Sequence, residues 1–232
     1  MKSISLKVID KPKSTEMMCY VSEPKTKAKA GIIVLQEAFG VNNHIKDLTK
    51  RFAEEGYVAI APELYHRTAP VGWTCDYQDF TPARPHISAL KEDGTVADVQ
   101  ACFDWLTTSA NLSAVACVGY CLGGRAAFIS NSKIPLKAAI SYYGGRIAPD
   151  HLNLAAKQIA PLLFFWGGQD KHIPPEQIHT VMAALSEAKK SFINVEISYA
   201  DHGFFCDERG TYNKAAAQLS WTTTIEFLKS HM

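Results

Sequence analysis

The sequence Val118-Gly119-Tyr120-Cys121-Leu122-Gly123-Gly124-Arg125 predicts a buried strand, a sharp turn and a helix in immediate succession, and the rest of the predicted fold is built around it. The apolar run at 114–118 is typical of a strand buried on both faces. Gly119 and Gly123 bracket Cys121 at the positions where a tight strand-to-helix turn requires small residues. The pattern is that of a nucleophile elbow. It predicts that the sulfur of Cys121 lies at a helix N-terminus, where free amides and the helix dipole favour a thiolate.

The pattern around Cys121 also has a purely structural interpretation. Free cysteine is among the most buried residue types, and glycines interrupt strands for many reasons. The apolar run before the turn and the helical pattern after it appear in the order that an elbow requires, and this order favours catalysis.

Further apolar runs alternate with helical patterns along the chain. Residues 3–9 and 17–22 flank a polar turn at 10–16 and predict an antiparallel hairpin at the sheet edge. The other predicted strands cover 31–35, 57–61, 136–143, 161–166 and 193–199. One predicted helix begins at Asn42 or Asn43, and three others cover 93–110, 175–190 and 212–229. This alternation predicts an α/β fold with a mostly parallel sheet and helices on both faces. We expect a single domain over residues 1–232.

The segment 62–91 lacks this regularity. It contains prolines at 62, 70, 82 and 85 together with scattered aromatic side chains. Long loops inside compact domains are usually functional or mobile, so we expect this segment to form a cover loop over the site, with room for a short helix.

The charge of the chain argues against several classes of protein. With 24 basic and 23 acidic residues, the net charge is +1, which gives no field for binding nucleic acid. No run approaches the roughly 18 apolar residues of a membrane span, and the N-terminus carries lysines where a secretory signal requires apolar residues. We expect a soluble, cytoplasmic protein that makes no contact with nucleic acid or membrane and is a monomer or a small homo-oligomer.

The six cysteines and eight histidines show no paired spacing typical of metal ligands. Without an export signal, disulfides are not expected. The sequence therefore predicts no metal and no cofactor.

A cysteine nucleophile needs a base and a group that orients the base, and both follow predicted strands downstream of Cys121. Asp170 comes just after the strand at 161–166, and His202 just after the strand at 193–199. Asp201 is the alternative acid, but a neighbour in sequence usually points away from the ring it would orient. The order nucleophile, acid, histidine is that of α/β-hydrolases.

These residues resemble the dienelactone hydrolases, a family with the α/β-hydrolase fold, over nearly the whole chain. The matching segments are short, and their joint order is specific. They are 36–42 (QEAFGVN), 61–65 (APELY), 119–124 (GYCLGG), 141–144 (SYYG), 168–170 (GQD) and 202–204 (HGF).

The resemblance implies a triad of Cys121, His202 and Asp170, and implies that Glu37 helps to generate the thiolate. The backbone N–H groups of Leu122 and Ala38 would form the oxyanion hole. For substrate binding, the resemblance points to Tyr143 and to arginines that hold a carboxylate. Arg209 is the stronger candidate by position and Arg84 the weaker one. Instead of binding substrate, Arg209 could form a surface ion pair with Asp207 or Glu208, and Arg84 could simply be solvated.

The expected function is hydrolysis of a small ester or lactone through a thioacyl enzyme, as the resemblance implies. The segment from His66 to Lys91 does not match a substrate-binding pattern, so the acyl group is not predicted. The alternatives are a broad carboxylesterase or thioesterase with another substrate, a catalytically silent binding protein with the same cleft, and a thiol redox sensor. A sensor needs a resolving cysteine, and Cys117 is poorly placed on a buried strand.

Overall fold

The computed structural model describes residues 1–10 and 13–232, and the chain divides into two compact units, Met1–Ala116 and Cys117–Met232. The first unit contains β1 (Lys2–Asp10), β2 (Lys13–Ser22), β3 (Gly31–Leu35), α1 (Asn43–Glu54), β4 (Val58–Pro62), α2 (Arg84–Ala89) and α3 (Glu92–Asp104). A π-helical turn at Trp105–Ser109 extends α3, and β5 (Val115–Tyr120) runs from the end of the first unit into the second.

The sheet of the first unit has the strand order β1-β2-β4-β3. β1 and β2 form the predicted antiparallel hairpin, with Lys2 opposite Val21 and Asp10 opposite Lys13. The predicted turn at 10–16 is wrong in its length, because residues 13–16 pair with β1; Lys11 and Pro12 lie outside the described residues. β2 is antiparallel to β4, whereas β3 and β4 are parallel and buried along their whole length.

Helix α1 forms as its sequence predicts. The side chain of Asn42 caps it by accepting a hydrogen bond from the N–H of Ile45 at 3.2 Å. Ile45, Leu48 and Phe52 line its fully buried face. Gly56 follows the helix with a φ of +95°, a left-handed conformation that glycine adopts without strain.

The segment 62–91 folds against the loop that follows β3. Gly40 forms a bridge with Thr74, and the side-chain amide of Asn42 donates to the Tyr77 hydroxyl at 2.7 Å. The Phe39 and Tyr77 rings lie 4.6 Å apart. Helix α2, preceded by a 3₁₀ turn at 81–83, is the short helix for which the sequence left room.

The second unit continues β5 and adds three parallel strands in the order β5-β6-β7-β8. Its elements are α4 (Leu122–Asn131), β6 (Ala138–Tyr142), β7 (Leu162–Gly167), α5 (Pro175–Glu187), β8 (Phe192–Ile197) and α6 (Lys214–His231). The predicted strand at 136–143 is shorter in the structure, since Tyr143 has a φ of +39° and ends β6.

Helices cover both faces of β6. Successive strand residues point to opposite faces, and Ser141 and Tyr142 meet different helices. The Ser141 hydroxyl lies against Gly124 of α4, where an added Cβ would be 2.8 Å from it. The Tyr142 hydroxyl contacts the Thr224 hydroxyl of α6 at 2.6 Å. The predicted arrangement of a mostly parallel sheet between helices is therefore confirmed at this strand.

Across residues 1–10 and 13–232, we find no helix with both the length and the apolar character needed to cross a membrane.

Candidate active site

Cys121 occupies the turn between β5 and α4, in a strained backbone conformation with φ +53° and ψ −111°. Its N–H donates to the carbonyl of Tyr142 at 2.9 Å, and its own carbonyl accepts from the N–H of Gly124 at 3.0 Å. Positive φ is costly for a residue with a side chain and is found mainly where surrounding structure enforces it. The strand, turn and helix predicted from the sequence are thus present.

The glycines of this turn are required by space. A Cβ at Gly119 would overlap the carbonyl oxygen of Gly123, so any larger residue would push the two backbones apart. Gly124 allows α4 to approach β6, because its added Cβ would be 2.8 Å from the carbonyl oxygen of Tyr142. These contacts place the partly exposed thiol of Cys121 at the first turn of α4.

The thiol faces an imidazole that is itself held by a carboxylate. The Nε2 atom of His202 lies 3.1 Å from the Sγ atom of Cys121, and its Nδ1 atom lies 2.6 Å from Oδ2 of Asp170. The side chain of His202 is 11% exposed and that of Asp170 is 1% exposed. Both residues lie in loops beyond the carboxyl ends of neighbouring parallel strands, β8 and β7, where ligand sites of α/β sheets are usually found.

The two aspartates that compete for the acid role make different contacts. The second oxygen of Asp170 accepts the main-chain N–H of His172 at 2.7 Å. Asp201 accepts the main-chain N–H of His202 at 2.6 Å, so its carboxylate fixes the backbone of the loop. The ring nitrogen of His202 therefore pairs with Asp170. The hydroxyl of Thr211 donates to the carbonyl of His202 at 2.8 Å and holds the same loop from the other side.

The charges of the three side chains are strongly coupled. Burial by itself lowers the pKa of His202. The negative charge of a Cys121 thiolate and the hydrogen bonds to Asp170 and Cys121 outweigh this effect, and they raise the pKa of His202 from 6.5 to about 10. Burial raises the pKa of Asp170, whereas the hydrogen bond and charge of His202 lower it more, to below 3.8. A protonated His202 between two anions is the arrangement that these contacts stabilise.

Two aromatic side chains surround the His202 ring. The ring of Tyr143 is fully buried with its centroid 5.1 Å from that of His202. The ring of His172 meets it edge to face, at 5.5 Å and an interplanar angle of 82°. The substrate-binding role of Tyr143 remains a prediction. The sequence analysis did not identify His172, and the one available signal was its position two residues after Asp170.

Arg209 lies beside the histidine loop. Its guanidinium covers Gly203, where an added Cβ would overlap it, and Gly203 has a φ of +75°. Leu122 is the first residue of α4, so its N–H is one of the helix donors that has no acceptor within the helix. The structure therefore gathers Cys121, Leu122, Tyr143, Asp170, His202 and Arg209 in the second unit.

The remaining predicted site residues, Glu37, Ala38 and Arg84, belong to the first unit. Glu37 and Ala38 are buried in the loop after β3, and the Tyr65 hydroxyl donates to the Ala38 carbonyl at 3.0 Å. Arg84 is exposed at the start of α2. Their predicted roles remain predictions.

Sequence reasoning overlooked Gln36, which organises the loop after β3. Its Oε1 atom accepts the N–H of Leu64 at 3.0 Å, and its Nε2 atom donates to the carbonyl of Glu37 at 3.3 Å. The available signal was a glutamine directly after the apolar run at 31–35 and directly before Glu37.

A strand-to-helix turn that carries a strained cysteine, with a histidine and an aspartate on following strand ends, defines the class of α/β-hydrolase-fold proteins. The crystal structure of a Klebsiella pneumoniae protein described as a "Putative Dienelactone Hydrolase" superposes with a TM-score of 0.83, at 28% identity, over 97% of this chain and 98% of its own. The sequence matches the dienelactone hydrolase family over residues 17–232, and the chain belongs to that family.

Two curated relatives share the name "Putative carboxymethylenebutenolidase". The one from Synechocystis is 32% identical over 228 residues, which cover 92% of this chain and 91% of the relative. The one from Salmonella typhimurium is 34% identical over 228 residues, which cover 93% of this chain and 83% of the relative. The protein is a hydrolase of carboxylic esters, as the expected family and fold implied.

Proposed function

We propose that this protein hydrolyses a small ester or lactone, with Cys121 as nucleophile, His202 as acid and base, and Asp170 as the group that orients the histidine. The observation that supports this most directly is the continuous contact from Sγ of Cys121 to Nε2 of His202 at 3.1 Å and from Nδ1 to Asp170 at 2.6 Å. The raised pKa of His202 supports an imidazolium at rest, which can donate a proton at Nε2.

In the first half of the reaction, the Cys121 thiolate attacks the carbonyl carbon and the carbonyl electron pair moves to oxygen. The N–H of Leu122 and that of Ala38 stabilise this oxyanion. When the intermediate collapses, the bond to the alkoxide breaks and His202 donates its Nε2 proton to the leaving oxygen. The products are a thioester on Cys121 and an alcohol, which stays attached to the acyl group when the substrate is a lactone.

In the second half, neutral His202 takes a proton from water, and the resulting hydroxide attacks the thioester carbonyl. The second tetrahedral intermediate expels the Cys121 thiolate and leaves a carboxylic acid. Asp170 keeps the Nδ1 proton of His202 in place throughout, so that Nε2 is the atom that exchanges protons.

The other predicted site residues complete this proposal. Glu37 promotes thiolate formation, Arg209 and Arg84 hold a substrate carboxylate, and Tyr143 contacts the substrate. The segment 62–91 covers the site; its contacts with the loop at 36–42, such as the bridge from Gly40 to Thr74, support this role. The family match over 17–232 spans both units and supports one α/β-hydrolase domain.

The test compares hydrolysis of a dienelactone, p-nitrophenyl acetate and a small thioester by the wild type, Cys121→Ala and Cys102→Ala. Cys102 is the control because it is buried on α3 and has no predicted role in the site. We expect turnover to disappear in Cys121→Ala alone, and mass spectrometry to find an acyl adduct on Cys121. Turnover by Cys121→Ala would disprove the proposed nucleophile.

The same panel separates the alternatives. Preference for the dienelactone supports a lactone hydrolase, as the relatives named carboxymethylenebutenolidase suggest. Preference for p-nitrophenyl acetate or the thioester supports a broader carboxylesterase or thioesterase. If no substrate is turned over and no adduct forms, a catalytically silent binding protein becomes the better interpretation.

A further inference from the structure

We infer that the side chain of His172 is a positioning residue, which holds the His202 ring in line between Asp170 and Cys121. This inference rests on the proposed function, since it concerns the same histidine. It assigns a role to a side chain that is exposed and that no motif of the sequence singled out.

The first step of the argument is how His202 is held. Its two ring nitrogens are both engaged, Nδ1 by Asp170 and Nε2 by Cys121, so these contacts fix the line through the ring. Together with the covalent bond to Cβ, these two hydrogen bonds set the plane of the ring. Contacts on its faces and edges resist the remaining displacement of that plane.

Two rings supply such contacts. Tyr143 is fully buried at 5.1 Å, and His172 approaches at 5.5 Å with the edge-to-face geometry that aromatic pairs prefer. The main-chain N–H of His172 binds the oxygen of Asp170 that His202 leaves free. One residue thus contacts both the carboxylate and the imidazole that this carboxylate orients.

The experiment uses the full chain with His172→Ala, His172→Phe and, as a control, His179→Ala, an exposed histidine on α5. We measure kcat, KM and the pH dependence of Cys121 alkylation by iodoacetamide, and thermal melting confirms that each variant is folded. We expect His172→Ala to lower kcat by about three- to tenfold with unchanged KM, as loss of one edge-to-face contact predicts.

The phenylalanine variant keeps an aromatic ring at position 172. We expect His172→Phe to restore kcat to within about twofold of the wild type, because it keeps the ring contact with His202. His179→Ala should match the wild type in every measurement. If His172→Ala keeps both the wild-type kcat and the wild-type alkylation profile, the inference is wrong.

Failure of the proposed function has a different signature. If Cys121→Ala retains turnover, the nucleophile is wrong, whereas the alkylation series still reports whether His172 holds His202 beside the thiol. If Cys121→Ala is inactive and His172→Ala equals the wild type, only the inference about His172 fails.

Discussion

Among single residues, Asp170 and Asp201 both contact His202, and only one of them can orient its ring. Asp170 contacts the ring and Asp201 contacts the main chain of the same residue. Both are acidic residues near strand ends, so the sequence offers them as equivalent in composition. The structure separates them by the atom each one binds, and asparagine substitution tests this separation because it keeps the shape and an acceptor oxygen.

We predict that Asp170→Asn lowers turnover by about 10³- to 10⁴-fold, because a neutral amide neither stabilises the imidazolium nor fixes its tautomer. Asp201→Asn keeps an acceptor for the N–H of His202 and should stay within about threefold of the wild type. Kinetics with the preferred substrate would measure both variants. Equal losses in the two variants would contradict the assignment of Asp170.

The same pair of variants should differ in the titration of His202, followed by NMR. Folding raises its pKa from 6.5 to about 10. Protonation of His202 therefore stabilises the folded state fully below pH 6.5, and this contribution is lost as pH rises through about 10. In Asp170→Asn the pKa of His202 should be lower than in the wild type, and the loss of stability on the alkaline side should be correspondingly smaller.

At the scale of elements, the turn between β5 and α4 depends on backbone approach rather than on side-chain packing. Gly119 lies directly against the backbone of Gly123, and Gly124 lies directly against β6. The three glycines allow a strand, a turn and a helix to meet within a few residues. The strained φ of +53° at Cys121 is held by these contacts and by the hydrogen bond to Tyr142.

We predict that Gly119→Ala destabilises the protein by about 3 kcal/mol, because the added Cβ overlaps backbone, which cannot move aside as a side chain can. Gly210→Ala is the matched control, since nothing lies within 4 Å of its added Cβ; it should change the free energy of unfolding by less than about 0.5 kcal/mol. Urea denaturation measures both. A Gly119→Ala variant as stable as Gly210→Ala would show that the turn can relax.

The elements that the sequence predicted well are those specified locally. The elbow and β3 each combine an apolar run with a glycine. Helix α1 combines apolar residues at helical spacing with the capping residue Asn42. The start of β2 was not predictable, because residues 13–16 are all polar, none of them is buried, and they therefore lack the apolar pattern that would reveal a strand. The end of β6 was also missed, since the positive φ of Tyr143 leaves no trace in an apolar run.

The residues of the site also differ in whether the sequence predicts them. Cys121, Asp170 and His202 follow from strand ends and chain order, which the sequence contains. The ring contact of His172 with His202 depends on how two loops 30 residues apart in the chain come together, and residue types alone do not carry this information.

At the scale of the whole molecule, stability depends on buried charge as well as on the apolar core. Asp98 of α3 is fully buried, and Arg67 binds both of its oxygens, at 2.9 and 2.8 Å. Nε2 of His66 lies 3.0 Å from the same carboxylate. Arg67 also reaches Asp10 at the end of β1 at 3.0 Å, so one guanidinium joins the segment 62–91, α3 and the hairpin.

We predict that Arg67→Ala lowers the free energy of unfolding by about 3 kcal/mol, because it leaves the Asp98 carboxylate buried without its principal partner. For a chain of this size the melting temperature should fall by about 10 °C. Arg146→Ala is the control: it removes an ion pair to Asp150 from an arginine whose side chain is 74% exposed, and should cost less than about 1 kcal/mol. Calorimetry at neutral pH compares the two. If they melt together, the buried network contributes no more than a surface pair, and the stability of this region depends on its apolar contacts alone.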